Sequence, residues 1–221
     1  MADPIIACVR TGTVYPMKYV INLRNAIYRY MPKPYDIVCF TDQPDRCEGV
    51  QFIDISGFGL LGLGGWWAKM LLFSTEWRGQ RKVIYLDLDT VLVNDIAPLA
   101  GVPGEFAICE SFTRLAGNKA YPCKYNSSVM VIGGGMTGFV WTRFEAQREA
   151  LLKKHERYGD QACIEELYPD APFLQSLVPV GFFLNYRHLT MIPPKVASVI
   201  NFGGQNKPAN CTIPWVQAAW K

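Results

Sequence analysis

The feature that most constrains the fold is a series of short apolar runs separated by helix-like or glycine-rich segments. The runs are PIIACV (4–9), YDIVCF (35–40), VQFIDI (50–55) and KVIYLD (82–87). Continuous apolar runs of this length predict strands that are buried on both faces, as in a parallel sheet. Apolar residues recur at helical spacing across 15–31, and Pro32 and Pro34 end that pattern.

The same patterns continue through the middle of the chain. The further predicted elements are helices at 66–73 and 137–158 and strands at 105–110 and 127–134. Strands that alternate with helices predict an α/β fold, in which helices flank a mixed, mostly parallel sheet. No linker or internal repeat interrupts the chain, so we expect one domain over residues 1–221.

Composition narrows the class of protein. The formal charge is only +3, which is too weak to predict a nucleic-acid partner. Residues 171–221 contain no Asp or Glu, and this positive bias suits a phosphate-bearing ligand. Taken alone, the observation favours the alternative, an apolar tail that lacks acids by chance. Seven scattered cysteines without a C-x-x-C pair predict reduced thiols in a cytoplasmic protein. We expect neither a signal peptide nor a transmembrane segment.

The run at 82–87 leads into VIYLDLDTVLVND (83–95), in which Asp87 and Asp89 stand one residue apart. Carboxylates two positions apart in an extended chain point to the same side, and such oxygen pairs suit Mg²⁺ or Mn²⁺. Ligands of open α/β sheets bind beyond the carboxyl ends of the strands, where these aspartates fall. The alternative is that one aspartate caps a turn and the other is solvated.

Two classes of enzyme carry this pattern. Residues 87–92 (DLDTVL) satisfy the nucleophile motif of haloacid-dehalogenase-type phosphatases, with Asp87 as nucleophile, Asp89 as general acid and base, and Asp160 in the acidic motif. That motif normally lies on the first strand, however, and Asp160 follows the polar sequence KKHERY instead of an apolar strand. Nucleotide-sugar glycosyltransferases use a D-x-D motif to hold a cation that stabilises the departing diphosphate.

Six segments together carry a resemblance. They are Thr11-x-x-x-Tyr15, Lys69 in WWAKMLLF, Asp87-Leu88-Asp89-Thr90, YNSSVMV (125–131), Gly159-Asp160-Gln161 and VINFGGQNKP (199–208). Each is weak alone, but in this order they resemble the motifs of GT-A-fold glycosyltransferases related to glycogenin and to bacterial family 8 galactosyl- and glucosyltransferases. The resemblance covers most of the chain.

The resemblance implies a GT-A fold and transfer of a hexose, with retention, from a UDP-sugar to an unknown glycan, lipid or protein acceptor. It implies a nucleotide-binding half at 1–95 and a sugar and acceptor half at 96–221. The implied metal ligands for Mn²⁺ or Mg²⁺ are Asp87, Asp89 and Asn201. The implied donor-binding residues are Thr11, Tyr15, Lys69, Asp87, Leu88, Asn126, Ser127, Gly204 and Lys207. The implied catalytic residues are Asp160 and Gln161.

Within this set the resemblance assigns Thr11 and Tyr15 to the base and ribose, and Lys69 and Lys207 to phosphate charge. The glycine-rich GFGLLGLGG (57–65) is a candidate lid, because glycine hinges suit a closure that excludes water.

The sequence departs from the family at two positions. Asn201 stands where the family has its third metal ligand, a histidine, and an amide oxygen binds Mn²⁺ more weakly than imidazole does. Ser128 stands where the family usually has glycine. A non-catalytic protein that binds nucleotide sugars is therefore a further alternative.

Overall fold

The computed structural model describes residues 3–32, 34–60 and 64–221, and its strands form two sheets. The strands are β1 (Ile5–Arg10), β2 (Asp36–Thr41), β3 (Gln51–Asp54), β4 (Val83–Leu86), β5 (Thr90–Leu92), β6 (Phe106–Glu110), β7 (Tyr125–Ile132), β8 (Phe183–Asn185) and β9 (Val199–Asn201). The large sheet has the order β3-β2-β1-β4-β7-β6, and the small sheet has the order β5-β9-β8. In the large sheet β3, β2, β1 and β4 run parallel, whereas β7 is antiparallel to both β4 and β6.

Helices cover both faces of the large sheet. The α-helices are α1 (Met17–Tyr30), α2 (Phe112–Leu115), α3 (Phe139–Ala146), α4 (Arg148–Lys154), α5 (Gly159–Leu167) and α6 (Pro214–Ala219). The 3₁₀ segments are Ser56–Phe58, Gly65–Phe73, Ala97–Leu99, Leu174–Ser176, Tyr186–His188 and Pro208–Asn210. A mixed, mostly parallel sheet between helices confirms the predicted α/β class.

The strands of the large sheet are apolar on both sides because each side faces a different part of the core. In β1, Ile6 and Cys8 pack with α1, the small sheet and α6, whereas Ile5 and Ala7 pack with the Gly65–Phe73 segment, α3 and α5. This two-sided burial explains why continuous apolar runs, and not alternating ones, mark these strands.

Two predicted helices differ from the structure. Residues 66–73 lie in a 3₁₀ helix, Gly65–Phe73, of which all residues from Trp67 onward are buried. A segment that is apolar on every side has no amphipathic stripe to specify an α-helix. The helix predicted at 137–158 is two helices, α3 and α4, because Gln147 leaves the helical conformation and its N–H bonds back to the Phe144 carbonyl oxygen.

Other expectations concern loops, membranes and thiols. The predicted lid at 57–65 includes residues 61–63, which lie outside the described part of the chain. Among the described helices, none combines the length and apolar character needed to cross a bilayer. All seven cysteines fall within the described residues and are free thiols, as expected.

Candidate active site

A cavity of about 910 Å³ opens beyond the carboxyl ends of β1 and β4, where ligands bind in open α/β sheets. It is bordered by the start of β7, the start of α5 and the loop that follows β9. The predicted site residues that line it are Thr11, Tyr15, Lys69, Asp87, Leu88, Asp89, Asn126, Ser127, Asp160, Gln161, Asn201, Gly204 and Lys207. The fold therefore gathers all of the predicted positions in one cavity.

Asp87 follows β4 directly and is held on several sides. Its backbone N–H donates to the Ser128 carbonyl oxygen at 2.8 Å, which fixes the chain at the end of the strand. The Tyr85 hydroxyl donates to Asp87 Oδ1 at 2.5 Å, and Lys69 Nζ lies 2.9 Å from the same oxygen. Tyr85 and Lys69 are both buried, so this carboxylate has little freedom to move.

Lys69 connects Asp87 to the residues of β7 and α5. Its Nζ donates to Ser127 Oγ at 3.1 Å and lies 3.6 Å from Asp160 Oδ2. Burial lowers the pKa of Lys69, but the carboxylates of Asp160 and Asp87 raise this pKa by more, and Lys69 stays protonated. Burial raises the pKa of Asp160, against the effect of Lys69. In this structure Lys69 is the counter-ion of two carboxylates, and its expected contact with phosphate remains a prediction.

Asp89 is buried and belongs to a second cluster. Its Oδ2 accepts hydrogen bonds from Tyr15 Oη at 3.0 Å and from Lys207 Nζ at 2.7 Å. Lys207 also donates to Tyr15 Oη at 2.7 Å, so the three side chains form a closed triangle. Burial and the nearby Asp87 charge raise the pKa of Asp89, although Lys207 opposes them. Burial and Asp89 likewise raise the pKa of Tyr15.

Asn201 is the candidate third metal ligand. It pairs with Thr90 across β9 and β5, which places it beside the residue that follows Asp89. Asn201 is buried, yet neither its side-chain oxygen nor its nitrogen has a hydrogen-bond partner. Because an unsatisfied buried polar group costs about 1–3 kcal/mol, this amide would be stabilised by a ligand that pairs with it.

The donor set determines which cation fits this position. Within the described residues no cluster of three His, Cys, Asp or Glu side chains has the arrangement of a metal site. Two carboxylates, Asp87 and Asp89, together with the unpartnered amide oxygen of Asn201, give an all-oxygen set. Such a set fits a hard divalent cation such as Mg²⁺ or Mn²⁺.

The start of α5 brings two predicted residues into the cavity. Gly159 has a φ of +65°, and a Cβ there would lie 2.5 Å from Nε1 of the Trp66 indole, so both the backbone conformation and the close approach require glycine. Asp160 follows in the first turn of α5 and is buried. Gln161 Nε2 donates to the Tyr121 hydroxyl at 3.2 Å.

The start of β7 carries Asn126 and Ser127. The pairing of β6 with β7 shifts register between Ile108 and Cys109, so that Ile108 pairs with Met130 whereas Cys109 pairs with Asn126. Asn126 Oδ1 accepts the Ser128 N–H at 3.2 Å. This irregularity leaves residues 127–129 without paired partners on β6, and Ser127 and Ser128 of this stretch line the cavity.

The turn after β1 has a structural support that sequence reasoning missed. The Gly12 N–H donates to Asp42 Oδ1 at 2.9 Å, which ties this turn to the end of β2. Thr11 lines the cavity, whereas Asp42 does not. Asp42 thus holds the turn in place from behind.

Several further cavity residues were not found from the sequence. They are Trp66, Tyr85, Ser111, Phe112, Thr113, Tyr121, Arg157, Tyr158, Asn185, Tyr186 and Arg187. Most lie outside the recognisable motifs, in turns or short elements whose position depends on tertiary packing. Two adjacent Arg and Tyr pairs in the sequence could have indicated some of these cavity residues. They are Arg157-Tyr158, next to Gly159-Asp160-Gln161, and Tyr186-Arg187.

Compared with models of protein families and with curated proteins, the sequence matches none. Among solved structures, the chain is similar to an active-site mutant of LgtC, with a TM-score of 0.72 and 15% identity over 97% of this chain and 93% of LgtC. It is also similar to the bifunctional glycosyltransferase WbbM, with a TM-score of 0.65 and 16% identity over 96% of this chain and 48% of WbbM. The glycosyltransferase GlyE of Streptococcus pneumoniae gives a TM-score of 0.61 and 15% identity over 95% of this chain and 57% of GlyE.

These likenesses concern the fold. The chain spans about half the length of WbbM and of GlyE, but nearly all of LgtC. The six-stranded sheet, its mixed strand directions and its flanking helices are those of the GT-A fold, and the predicted fold is confirmed. The activity must be argued from the cavity itself, because one fold supports many functions.

Proposed function

We propose that the protein is a metal-dependent glycosyltransferase that transfers a hexose from a UDP-sugar to a glycan, lipid or protein acceptor with retention of configuration. One observation carries the proposal. Two aspartates, Asp87 and Asp89, meet two lysines from distant parts of the chain, Lys69 and Lys207, in one cavity at the carboxyl end of β4. Carboxylates can bind a divalent cation, and ammonium groups beside them can bind the phosphates of the nucleotide.

The cation would be held by Asp87, Asp89 and Asn201. When bound, Mn²⁺ or Mg²⁺ would supply positive charge that stabilises the departing nucleoside diphosphate. The unpartnered amide of Asn201 supports this assignment. A role as metal ligand would explain why its side-chain oxygen is buried without a hydrogen bond.

The two lysines would serve the reaction differently. Lys207 is held by Asp89 and Tyr15, and a diphosphate has enough charge to draw its ammonium group into new charge-assisted hydrogen bonds. Lys69 is more deeply buried; it holds Asp87 and Asp160 in position and would add positive charge beside the donor phosphates. Tyr15 and Thr11 would then contact the base and ribose, as the turn after β1 presents both to the cavity.

The sugar would lie against β7 and α5. Asn126, Ser127, Asp160 and Gln161 line that side of the cavity and offer acceptors and donors for sugar hydroxyl groups. Gln161 uses its nitrogen on Tyr121, which leaves its carbonyl oxygen for the reacting region of the donor. At Leu88 and Gly204 the protein backbone would lie close to the bound donor.

Titration calorimetry with UDP tests the binding part of this proposal. We expect UDP to bind in the presence of Mn²⁺, binding to weaken strongly in EDTA, and Asp89→Asn to lose the metal dependence. No UDP binding in the presence of Mn²⁺ would overturn the proposal.

Incubation with a panel of nucleotide sugars and Mn²⁺ tests catalysis. We expect slow donor hydrolysis with one of them. A protein that binds UDP but never hydrolyses or transfers any sugar is the non-catalytic alternative. The phosphatase alternative requires release of phosphate from an aryl phosphate, with loss of this activity in Asp87→Asn, and the GT-A fold argues against it.

A further inference from the structure

The charged residues of the cavity fall into two groups, paired and unpaired. The carboxylates that line it are Asp87, Asp89 and Asp160, and the basic side chains are Lys69, Arg157, Arg187 and Lys207. Both lysines form ion pairs with the carboxylates. Within the described part of the chain, neither arginine has an ion-pair partner. The proposed donor site therefore accounts for the lysines but leaves both guanidinium groups without a function.

Each arginine is oriented by a neighbouring tyrosine. The guanidinium of Arg157 lies 5.3 Å from the centre of the Tyr158 ring. The guanidinium of Arg187 lies 5.7 Å from the Tyr186 ring, and its Nε–H donates to the Tyr186 hydroxyl at 3.2 Å. Tyr186 in turn stacks on Phe202, with ring centres 5.7 Å apart. Stacked guanidinium groups keep their donors free at the edge of the plane, where carboxylates and phosphates bind.

The positions of the two arginines bracket the proposed transfer centre. Arg157 lies just before Gly159, and so immediately before the proposed sugar-binding residues of α5. Arg187 follows β8, in which Asn185 pairs with Asn201, the candidate metal ligand. Both arginines are exposed, line the cavity and are open to a ligand that enters from solution. An acceptor of the proposed transfer must reach the sugar held beside these residues.

Charge balance indicates what kind of acceptor fits. The two charges of a donor diphosphate offset those of a divalent cation. The three carboxylates exceed the two lysines by one charge, so the two arginines leave the cavity with an excess of one positive charge. A neutral acceptor would leave this excess uncompensated, whereas an acceptor with one anionic group would balance it.

We propose that the acceptor carries an anionic group, a phosphate or a carboxylate, which Arg157 and Arg187 bind at the mouth of the donor cavity. This inference rests on the proposed function, since it takes the donor to occupy the region of Asp87 and Asp89. Tyr158 and Tyr186 lie against the two guanidinium groups and line the same cavity.

Calorimetry on the protein saturated with UDP and Mn²⁺ tests the proposal with matched sugars. The probes are glucose, glucose 6-phosphate and glucuronate, and the corresponding galactose series. We expect at least one anionic probe to bind about tenfold tighter than its neutral parent, as charge-assisted hydrogen bonds to arginine allow. Comparison of the phosphate and carboxylate probes identifies which anion is preferred.

Arg157→Gln and Arg187→Gln each remove one guanidinium and keep a polar side chain. We expect each to weaken the anionic probe by about five- to tenfold, with UDP affinity unchanged. Lys195→Gln is the matched control, because Lys195 is an exposed basic residue of the same acid-free segment that does not line the cavity. It should leave both affinities unchanged, and a thermal melt of each variant verifies folding.

The outcomes separate this inference from the proposed function. If the unchanged protein does not bind UDP with Mn²⁺, the proposed function fails and the inference fails with it. If UDP binds but no anionic probe binds tighter than its neutral parent, only the acceptor inference is overturned. It is also overturned if the arginine variants keep the preference, or if they weaken UDP itself, because the arginines would then belong to the donor.

Discussion

The two aspartates of the D-x-D motif stand one residue apart, yet each lies in a different physical setting. On the Asp87 side, the Lys69 side chain is 10% exposed. It is surrounded by Tyr85 on β4, Ser127 on β7 and Asp160 on α5. On the Asp89 side, the Lys207 side chain is 22% exposed and reaches in from the loop after β9. The first cluster is enclosed by packed elements, whereas the lysine of the second lies on an exposed loop that follows a short strand.

The difference teaches that similar ion pairs can have different purposes. A buried pair that is hydrogen-bonded on all sides holds residues in position and loses much energy when one partner is removed. A pair whose lysine lies on an exposed loop can release that lysine to a ligand, provided that a cation then compensates the buried carboxylate. The predictions below compare the Lys69 side with the Lys207 side.

The largest difference should appear in the free energy of unfolding. Lys69→Met leaves the buried Asp160 and the partly buried Asp87 without their cation, and we expect a loss of about 3–5 kcal/mol. Lys207→Met leaves one buried carboxylate, Asp89, which keeps its hydrogen bond from Tyr15, and we expect a smaller loss of about 1–3 kcal/mol. Urea denaturation in EDTA measures both. Equal losses of unfolding free energy in the two variants would show that the Lys69 and Lys207 ion pairs do not differ in their contribution to stability.

The second difference concerns ligand binding. Lys207→Met should weaken UDP binding in the presence of Mn²⁺ by about 10- to 100-fold, which is the value of a hydrogen bond between charged groups, about 1.5–3 kcal/mol. Lys195→Met, outside the cavity, serves as the control. A Lys207 variant with unchanged UDP affinity would show that this lysine is only the counter-ion of Asp89.

The loop that carries Lys207 offers a matched pair of glycines. Gly204 has a φ of +61°, so Gly204→Ala forces an L side chain into the left-handed region at a cost of about 1 kcal/mol, although its Cβ would meet nothing within 4 Å. Gly203 has the same open space and no positive φ, so Gly203→Ala should be nearly neutral. Thermal melts and UDP titrations of both variants measure the effect. Similar behaviour would mean that the loop conformation is not important for either property.

The smallest expected effect is the pH dependence of Asp89. Burial and the Asp87 charge raise the pKa of Asp89, so its ionised form costs folding free energy above that raised pKa. Asp89→Asn, measured in EDTA, should be slightly more stable than the unchanged protein at neutral pH. The advantage should shrink as pH falls from the raised pKa toward the ordinary value of 3.8. A variant that is less stable at neutral pH would place Asp89 among the stabilising residues.

The sequence predicted the parts of the fold that depend on local pattern. The strands at 4–9, 35–40 and 82–87 carry long apolar runs, and all three are present. By contrast β5, β8 and β9 have three residues each, which is too short for any periodicity to be recognised. Their pairing depends on contacts between distant parts of the chain.

The site residues also divide into those that local sequence predicts and those that depend on contacts between distant parts of the chain. Asp87 and Asp89 could be predicted from the residues alone, because the end of a strand is a local feature. Asn201 and Lys207 were reached only through the family resemblance. The burial of Lys69 between two carboxylates could not be foreseen, because a single lysine in an apolar segment is equally compatible with a side chain that reaches solvent. Arg157 and Arg187 became visible only once packing had formed the cavity.

The pairing of β5 with β9 has a consequence for the order in which the protein is made. Thr90 and Asn201 meet across this pair although about half of the chain lies between them, and Lys207 follows shortly after β9. During synthesis, Asp87 and Asp89 leave the ribosome long before their partners do. A nascent chain therefore presents two aspartates without Asn201 or Lys207, and it becomes competent for ligand only when its last strand docks.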